Sequence, residues 1–150
     1  MLRRWPAGTL VDGELVAFGP DGRCDLALLL RRHGLTDPWR IGHARRWCPL
    51  RYVLFDLLYH RGRCLLHEPL ARRRQALAEV CAALPVPDVL FSVGVVGQGK
   101  AFYAEAVARG QEGVMAKHLA APYRPGRRSP AWRKIKPHSS ADQSTRSDAY

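Results

Sequence analysis

Lysine is nearly missing from a chain that is otherwise rich in positive charge. Of its 24 basic residues, 20 are Arg and only four are Lys: Lys100, Lys117, Lys134 and Lys136. Three of the four fall between QEGVMAK and WRKIKP, so whatever requires lysine is concentrated there. Acid is missing from nearly the same interval, with no Asp or Glu between Gly113 and Ala141. The four cysteines (Cys24, Cys48, Cys64 and Cys81) include no C-x-x-C pair, which excludes the common zinc frameworks. His60, Cys64 and His67 lie close together in HRGRCLLH, but a turn at 61–63 explains that spacing more economically than a metal. No apolar run is long enough to cross a membrane, and the start MLRRWPAGTL lacks the apolar core of a signal peptide. The expectation is a cytoplasmic protein with reduced thiols and no membrane partner.

What remains is a basic, globular composition. At 150 residues and 47% hydrophobic, the chain fits one domain with a real core. A net charge of +11 exceeds what solubility needs and favours a polyanionic partner. A general use of Arg for surface polarity would produce the same sum. Apolar residues persist to about position 137, and the segment HSSADQSTRSDAY is nearly all polar. A domain over 1–137 and a disordered polar tail over 138–150 are therefore expected.

Strands are predicted over Thr9–Phe18, Arg51–His60, the stretch VLFSVGVV, GVMAKH and AWRKIKP. Helices are predicted after Asp25 as far as Gly34, from Pro69 through ARRRQALAEVCAAL, and through GQGKAFYAEAVARG to Gly110. Leu70, Leu77, Val80, Cys81 and Leu84 give the second of these an apolar face. Residues 35–50, with Pro38, Pro49 and Arg45-Arg46, read as irregular. This order of elements indicates an α+β fold with antiparallel sheets and flanking helices.

Alternation along a strand places Trp132, Lys134 and Lys136 on one face of WRKIKP and Arg133 and Ile135 on the other. Neighbouring ammonium groups repel unless an anion lies between them, and phosphate is the obvious one. A charge-protected, solvated edge strand is the competing reading. Glu112 is the single carboxylate at the start of the basic region; it can hold a divalent cation together with substrate phosphates, or pair with a nearby cation. In a regular strand Glu112 and Lys117 would face opposite ways, so sharing a pocket requires a twist or bulge. Asp12 and Glu14 share a face with Val16 in DGELV, whereas Phe55 and Asp56 alternate in FDLLY.

Five segments occur in one order: DGELVAF, YVLFDLLYHRGRCLLHEPLARRR, EGVMAK, PYRPGRRS and WRKIKP. Together, from about residue 9 to 137, they resemble the nucleotidyltransferase domain of ATP-dependent DNA ligases, most of all those of bacterial end-joining and related ligases. The resemblance implies a partial ATP-grasp-like adenylation fold. It implies ATP and Mg²⁺ (or Mn²⁺) as cofactors, DNA as partner, and a role in nick sealing during repair or end joining. By this resemblance Glu14 lies near the ribose and metal, Phe55 stacks on adenine and Glu112 binds the metal. Lys134 and Lys136 contact the α-phosphate and are the catalytic pair, and Arg124, Arg127 and Arg128 contact nucleic-acid phosphates. The same family attacks ATP with the lysine of a K-x-D-G motif, which this sequence does not contain. It also continues into an OB-fold after the W-x-K-x-K motif. The chain is thus expected to be inactive alone, with the lysine lobe supplied by a separate chain, and with exposed apolar surface where that lobe would pack. The alternative is a non-catalytic nucleotide- or DNA-binding remnant. Arg133 stands where the family usually has an aliphatic residue, and the resemblance would turn it toward a packed side.

Overall fold

A computed structural model of the chain describes residues 5–137. The predicted polar tail lies outside the described residues. The first strand, β1 (Leu10–Ala17), pairs antiparallel with the long strand β2 (Leu50–His60). On its other edge β2 meets β3 (Arg63–Cys64) and, in parallel, β4 (Val89–Phe91). A separate two-stranded antiparallel sheet is formed by β5 (Val114–Lys117) and β6 (Trp132–Ile135). This is the mixed α+β architecture expected, except that the β2–β4 pair is parallel. The predicted strand VLFSVGVV shortens to three residues, because β2 offers β4 partners only from Tyr52 to Leu54.

Four helices flank the sheets. The first, α1 (Leu26–His33), is capped by Asp25, whose carboxylate accepts the Leu28 N–H at 2.8 Å. The second, α2 (Pro38–Trp47), replaces the irregular stretch predicted for 35–50. Its start signals are plain: the Asp37 side chain accepts the Arg40 N–H, and Pro38 takes the first turn, where an N–H is not needed. It escapes a periodicity reading because only Ala44 is buried, so no apolar stripe marks it. The third, α3 (Leu70–Ala83), follows Pro69, and α4 (Gly99–Ala108) ends just before Gly110, whose φ of 75° suits glycine. Arg61 and Gly62 both have positive φ, which makes the two-residue turn between β2 and β3. That turn accounts for the spacing of His60 and Cys64. Among the described residues no three or more His, Cys, Asp or Glu side chains cluster as metal ligands, and no helix is long and apolar enough to cross a membrane.

The core lies between β2 and α3, around Leu54, Leu57, Leu77 and Val80. Leu54 and Leu57 are three residues apart, which strict alternation would place on opposite faces. The pairing explains this: Asp12 lies opposite Asp56 and Gly13 opposite Leu54, so β2 carries Phe55 as an extra residue. Alternation along β2 is therefore interrupted between Leu54 and Leu57. The carbonyl of Phe55 accepts a hydrogen bond from Arg74 Nη1 at 3.1 Å, so the bulged backbone is not left unpaired.

Asp56 and Arg73 are both fully buried and form a two-pronged ion pair, with Nε–Oδ1 at 2.8 Å and Nη2–Oδ2 at 2.9 Å. Arg73 Nη1 also donates to the carbonyls of Glu68 and Ala121. The Leu57 N–H donates to Asp56 Oδ1. Removing one partner leaves a buried charge uncompensated, so Arg73→Met should cost about 3–5 kcal/mol. The double replacement Asp56→Leu with Arg73→Met should recover much of that loss in urea unfolding. A single Arg73→Met variant of unchanged midpoint would show that the pair carries no stability.

Candidate nucleotide and phosphate site

The site is built on the β5–β6 hairpin. Lys117 lies opposite Trp132 and Met115 opposite Lys134, so these four side chains share one face. Glu112 precedes the strand and joins the same face because Gly113 breaks the alternation. Gly113 has φ of 143°, and a Cβ there would sit 2.0 Å from the Ile135 carbonyl oxygen. Only glycine permits that approach. Glu112 and Lys117 thus lie on one side of the hairpin, by the twist that a regular strand would lack.

Glu112 holds both lysines. Its Oε2 accepts from Lys134 Nζ at 2.8 Å, and its Oε1 accepts from Lys136 Nζ. The repulsion between two neighbouring ammonium groups is relieved by this carboxylate. The hydrogen bonds from Lys134 and then Lys136 hold the Glu112 carboxyl down at about 2, and the bond to Glu112 pushes Lys136 up. All three side chains are exposed, so the arrangement is exchangeable rather than locked.

Lys117 is the group that joins the hairpin to the main sheet. Its Nζ lies 4.5 Å from the Phe55 ring centroid and 3.9 Å from that of Trp132. Burial lowers its pKa, while the charges of Asp56 and Asp12 oppose the shift. Tyr123 makes a second joint: its hydroxyl donates to Asp12 Oδ2 at 2.8 Å, and its ring meets Trp132 edge-on with centroids 5.4 Å apart. Burial first, and then the bond to Asp12, push the Tyr123 hydroxyl up to about 12. Beside the hairpin, Arg124, Arg127 and Arg128 line an open concavity of about 660 Å³ together with Trp132 and Lys134.

Most of the residues singled out from the sequence therefore meet. Phe55 reaches Trp132 through Lys117, Lys134 and Lys136 reach Glu112, and the three loop arginines open onto Lys134. Glu14 does not join them: it is exposed on β1 opposite Val53, and among the described residues it forms no ion pair with this group. Arg133 is exposed rather than packed, and donates to the Pro130 carbonyl. Sequence reasoning missed Tyr123, whose partner Asp12 is 111 positions away. It left the placing of Lys117 open.

A family model described as the ATP dependent DNA ligase domain matches residues 3–136. This chain belongs to that family. Among curated relatives, a probable DNA ligase of Sorangium cellulosum is 39% identical over 139 residues, covering 91% of this chain and 25% of the relative. A DNA ligase of Methanoculleus marisnigri is 46% identical over 128 residues, covering 85% and 23%. The chain thus spans about a quarter of the length of the curated relatives it matches. Among solved structures, mycobacterial DNA ligase D complexed with ATP and MES superposes with a TM-score of 0.68 at 29% identity, covering 85% of this chain and 38% of that one. The fold of the ligase domain is accordingly that of a nucleotidyltransferase domain, as the sequence motifs imply.

Two outcomes are expected of the ligase domain. Gly113→Ala should split the hairpin at Ile135 and cost about 2–4 kcal/mol in denaturant midpoint; an unaltered midpoint would refute the close approach. Glu112 has a folded pKa below its ordinary 4.5, so its contribution is present above 4.5 and is lost as pH falls through about 2. Carboxyl chemical shifts should place its titration near the lower value, and titration near 4.5 would mean that the lysines do not hold it.

Proposed function

We propose that this chain is the nucleotide-binding part of an ATP-dependent DNA ligase that seals nicks in DNA repair or end joining. The observation that carries the reading is the convergence of Glu112, Lys134 and Lys136 on one side of a hairpin whose Lys117 reaches Phe55. Cations that a carboxylate already holds in place are positioned for a phosphate of the same charge. The donor set fits Mg²⁺ or Mn²⁺ in one way only. A single exposed carboxylate cannot cage a cation, but it can complete the shell of one that arrives with substrate phosphates. The metal would supply neutralisation of phosphate charge.

The residues of the chain have distinct tasks under this reading. Glu112 would hold the metal and the lysines would hold the α-phosphate, so opposite charges would exchange partners without leaving one bare. Lys134 and Lys136 then stabilise charge that develops during phosphoryl transfer. Phe55 offers a ring to the base. One face of that ring is already taken by Lys117, so the base either takes the free face or displaces the ammonium. Glu14 would line the ribose side from the neighbouring strand, and Arg124, Arg127 and Arg128 would hold DNA phosphates along the concavity.

The absence of K-x-D-G among these 150 residues favours a second reading, in which the chain binds nucleotide or DNA and catalyses nothing by itself. Titration calorimetry with ATP and Mg²⁺ should give measurable binding that the Lys134→Ala, Lys136→Ala double variant weakens about tenfold or more. Incubation with labelled ATP should leave no AMP covalently bound to the chain after denaturation in detergent at neutral pH. Binding that ignores both lysines would sink the nucleotide assignment, and a covalent adduct would show a nucleophile within the chain. If adenylation appears only on adding a second chain with a K-x-D-G lobe, the enzyme reading holds over the remnant.

A further inference from the structure

The first two helices carry a feature that the nucleotide site does not use. Between Leu26 and Trp47 there are five arginines, and the only acid is Asp37, whose carboxylate is engaged by the Arg40 N–H. On α2, Trp39, His43 and Arg46 fall at i, i+4 and i+7 and so share one face. Ala44, the helix's one buried residue, is not on it. Trp39 is 76% exposed, and its ring lies flat against His43 with centroids 5.6 Å apart and planes 9° apart. At the other end of α2, the Arg31 guanidinium lies over the Trp47 ring at 5.4 Å.

From this geometry we propose that the α1–α2 face binds single-stranded nucleic acid, with an unpaired base stacked on the free face of Trp39 and backbone phosphates held by Arg40, Arg45 and Arg46. A large aromatic ring kept open, backed by a second ring and carried on an arginine-rich helix, matches what a strand without a fixed sequence presents: flat bases and regular phosphates. Charge complementarity selects a polyanion. A membrane surface fits poorly, because the arginines surround α2 instead of leaving an apolar half to insert. The surface lies on other elements than β5 and β6, so it stands whether or not the nucleotide reading does.

The test uses the whole 150-residue chain, a short fluorescein-labelled oligothymidylate and a blunt duplex of the same length. The single strand should bind, and Trp39→Ala should weaken it roughly tenfold while affecting the duplex much less. Replacing Arg45 and Arg46 by Gln should reduce the slope of log K against log salt by roughly 0.7 for each phosphate that is no longer neutralised. Trp39→Phe should retain the affinity but lose the tryptophan quenching that binding produces. Lys134→Ala should leave the Trp39 effect unchanged, which separates this surface from the nucleotide site. Because Trp39 is exposed, the variants should unfold at the parent temperature, and circular dichroism checks this. Unchanged single-strand affinity in Trp39→Ala overturns the proposal. That includes the case where the substitution instead abolishes self-association or binding to phosphatidylglycerol vesicles.

Discussion

The Arg73 guanidinium is where α3, the main sheet and the chain leaving β5 meet. Arg73 belongs to α3, and α3 packs on β2 through Leu77 and Val80. The Asp56 carboxylate fixes the guanidinium from below, and its remaining nitrogen reaches out to the Ala121 carbonyl. The same short stretch caps the helix: the Leu70 N–H donates to the Ala121 carbonyl and the Ala71 N–H to that of Leu119. Those amides belong to the first turn, which has no intrahelical acceptors. A demand internal to α3 thereby becomes an anchor for the chain leaving β5. With that chain fixed, Lys117 is brought over Phe55 and Tyr123 over Asp12. The consecutive arginines 72, 73 and 74 divide the labour: one is exposed, one buried on Asp56, and one bound to the bulged Phe55 carbonyl.

The division between arginine and lysine follows from what each position asks. Arg73 and Arg74 serve carbonyl and carboxylate groups at fixed distances, where a planar fork with several donors is the better tool. Lys134 and Lys136 each give one donor to a shared carboxylate on an exposed face. A compact ammonium on a flexible stem can release that carboxylate and follow another anion with little change elsewhere. Lys117 sits between these cases. Burial lowers its pKa, and two aromatic rings and the fields of Asp12 and Asp56 face its ammonium in a half-buried place. Replacing it with the broader guanidinium would crowd the space between Phe55 and Trp132.

Much of the fold was legible because local chemistry and tertiary demand agree. Asp25 before an apolar helix, the turn at Arg61-Gly62 and the alternation in WRKIKP all survive in the structure. The failures have physical causes. Residues 35–50 read as irregular because α2 buries only Ala44, and periodicity cannot mark a helix without a buried stripe. The interruption of alternation around Phe55 went unread, because a bulge depends on the pairing of two distant strands. Glu112 joined Lys134 and Lys136 through the backbone of Gly113, which a sequence shows only as one glycine among 13. Asp12 and Tyr123 met through folding alone. Glu14, named from its motif, stayed apart from the lysine cluster, and its separation reflects the strand on which it lies.

The junction between the two sheets is polar, and this has a structural consequence. The main sheet is sealed to α3 by leucine and valine, a contact that tolerates small displacements because apolar attraction has no preferred angle. The hairpin is tied on by hydrogen bonds from Arg73 and Tyr123 and by the ammonium of Lys117, whose energies fall steeply with misalignment. Its outer face, with Arg133 and Ile135, is exposed and adds little burial. A joint of this kind stabilises the molecule less than a core would, but it fixes direction more strictly. The lysines of the hairpin are therefore positioned relative to Phe55 by donor and acceptor geometry.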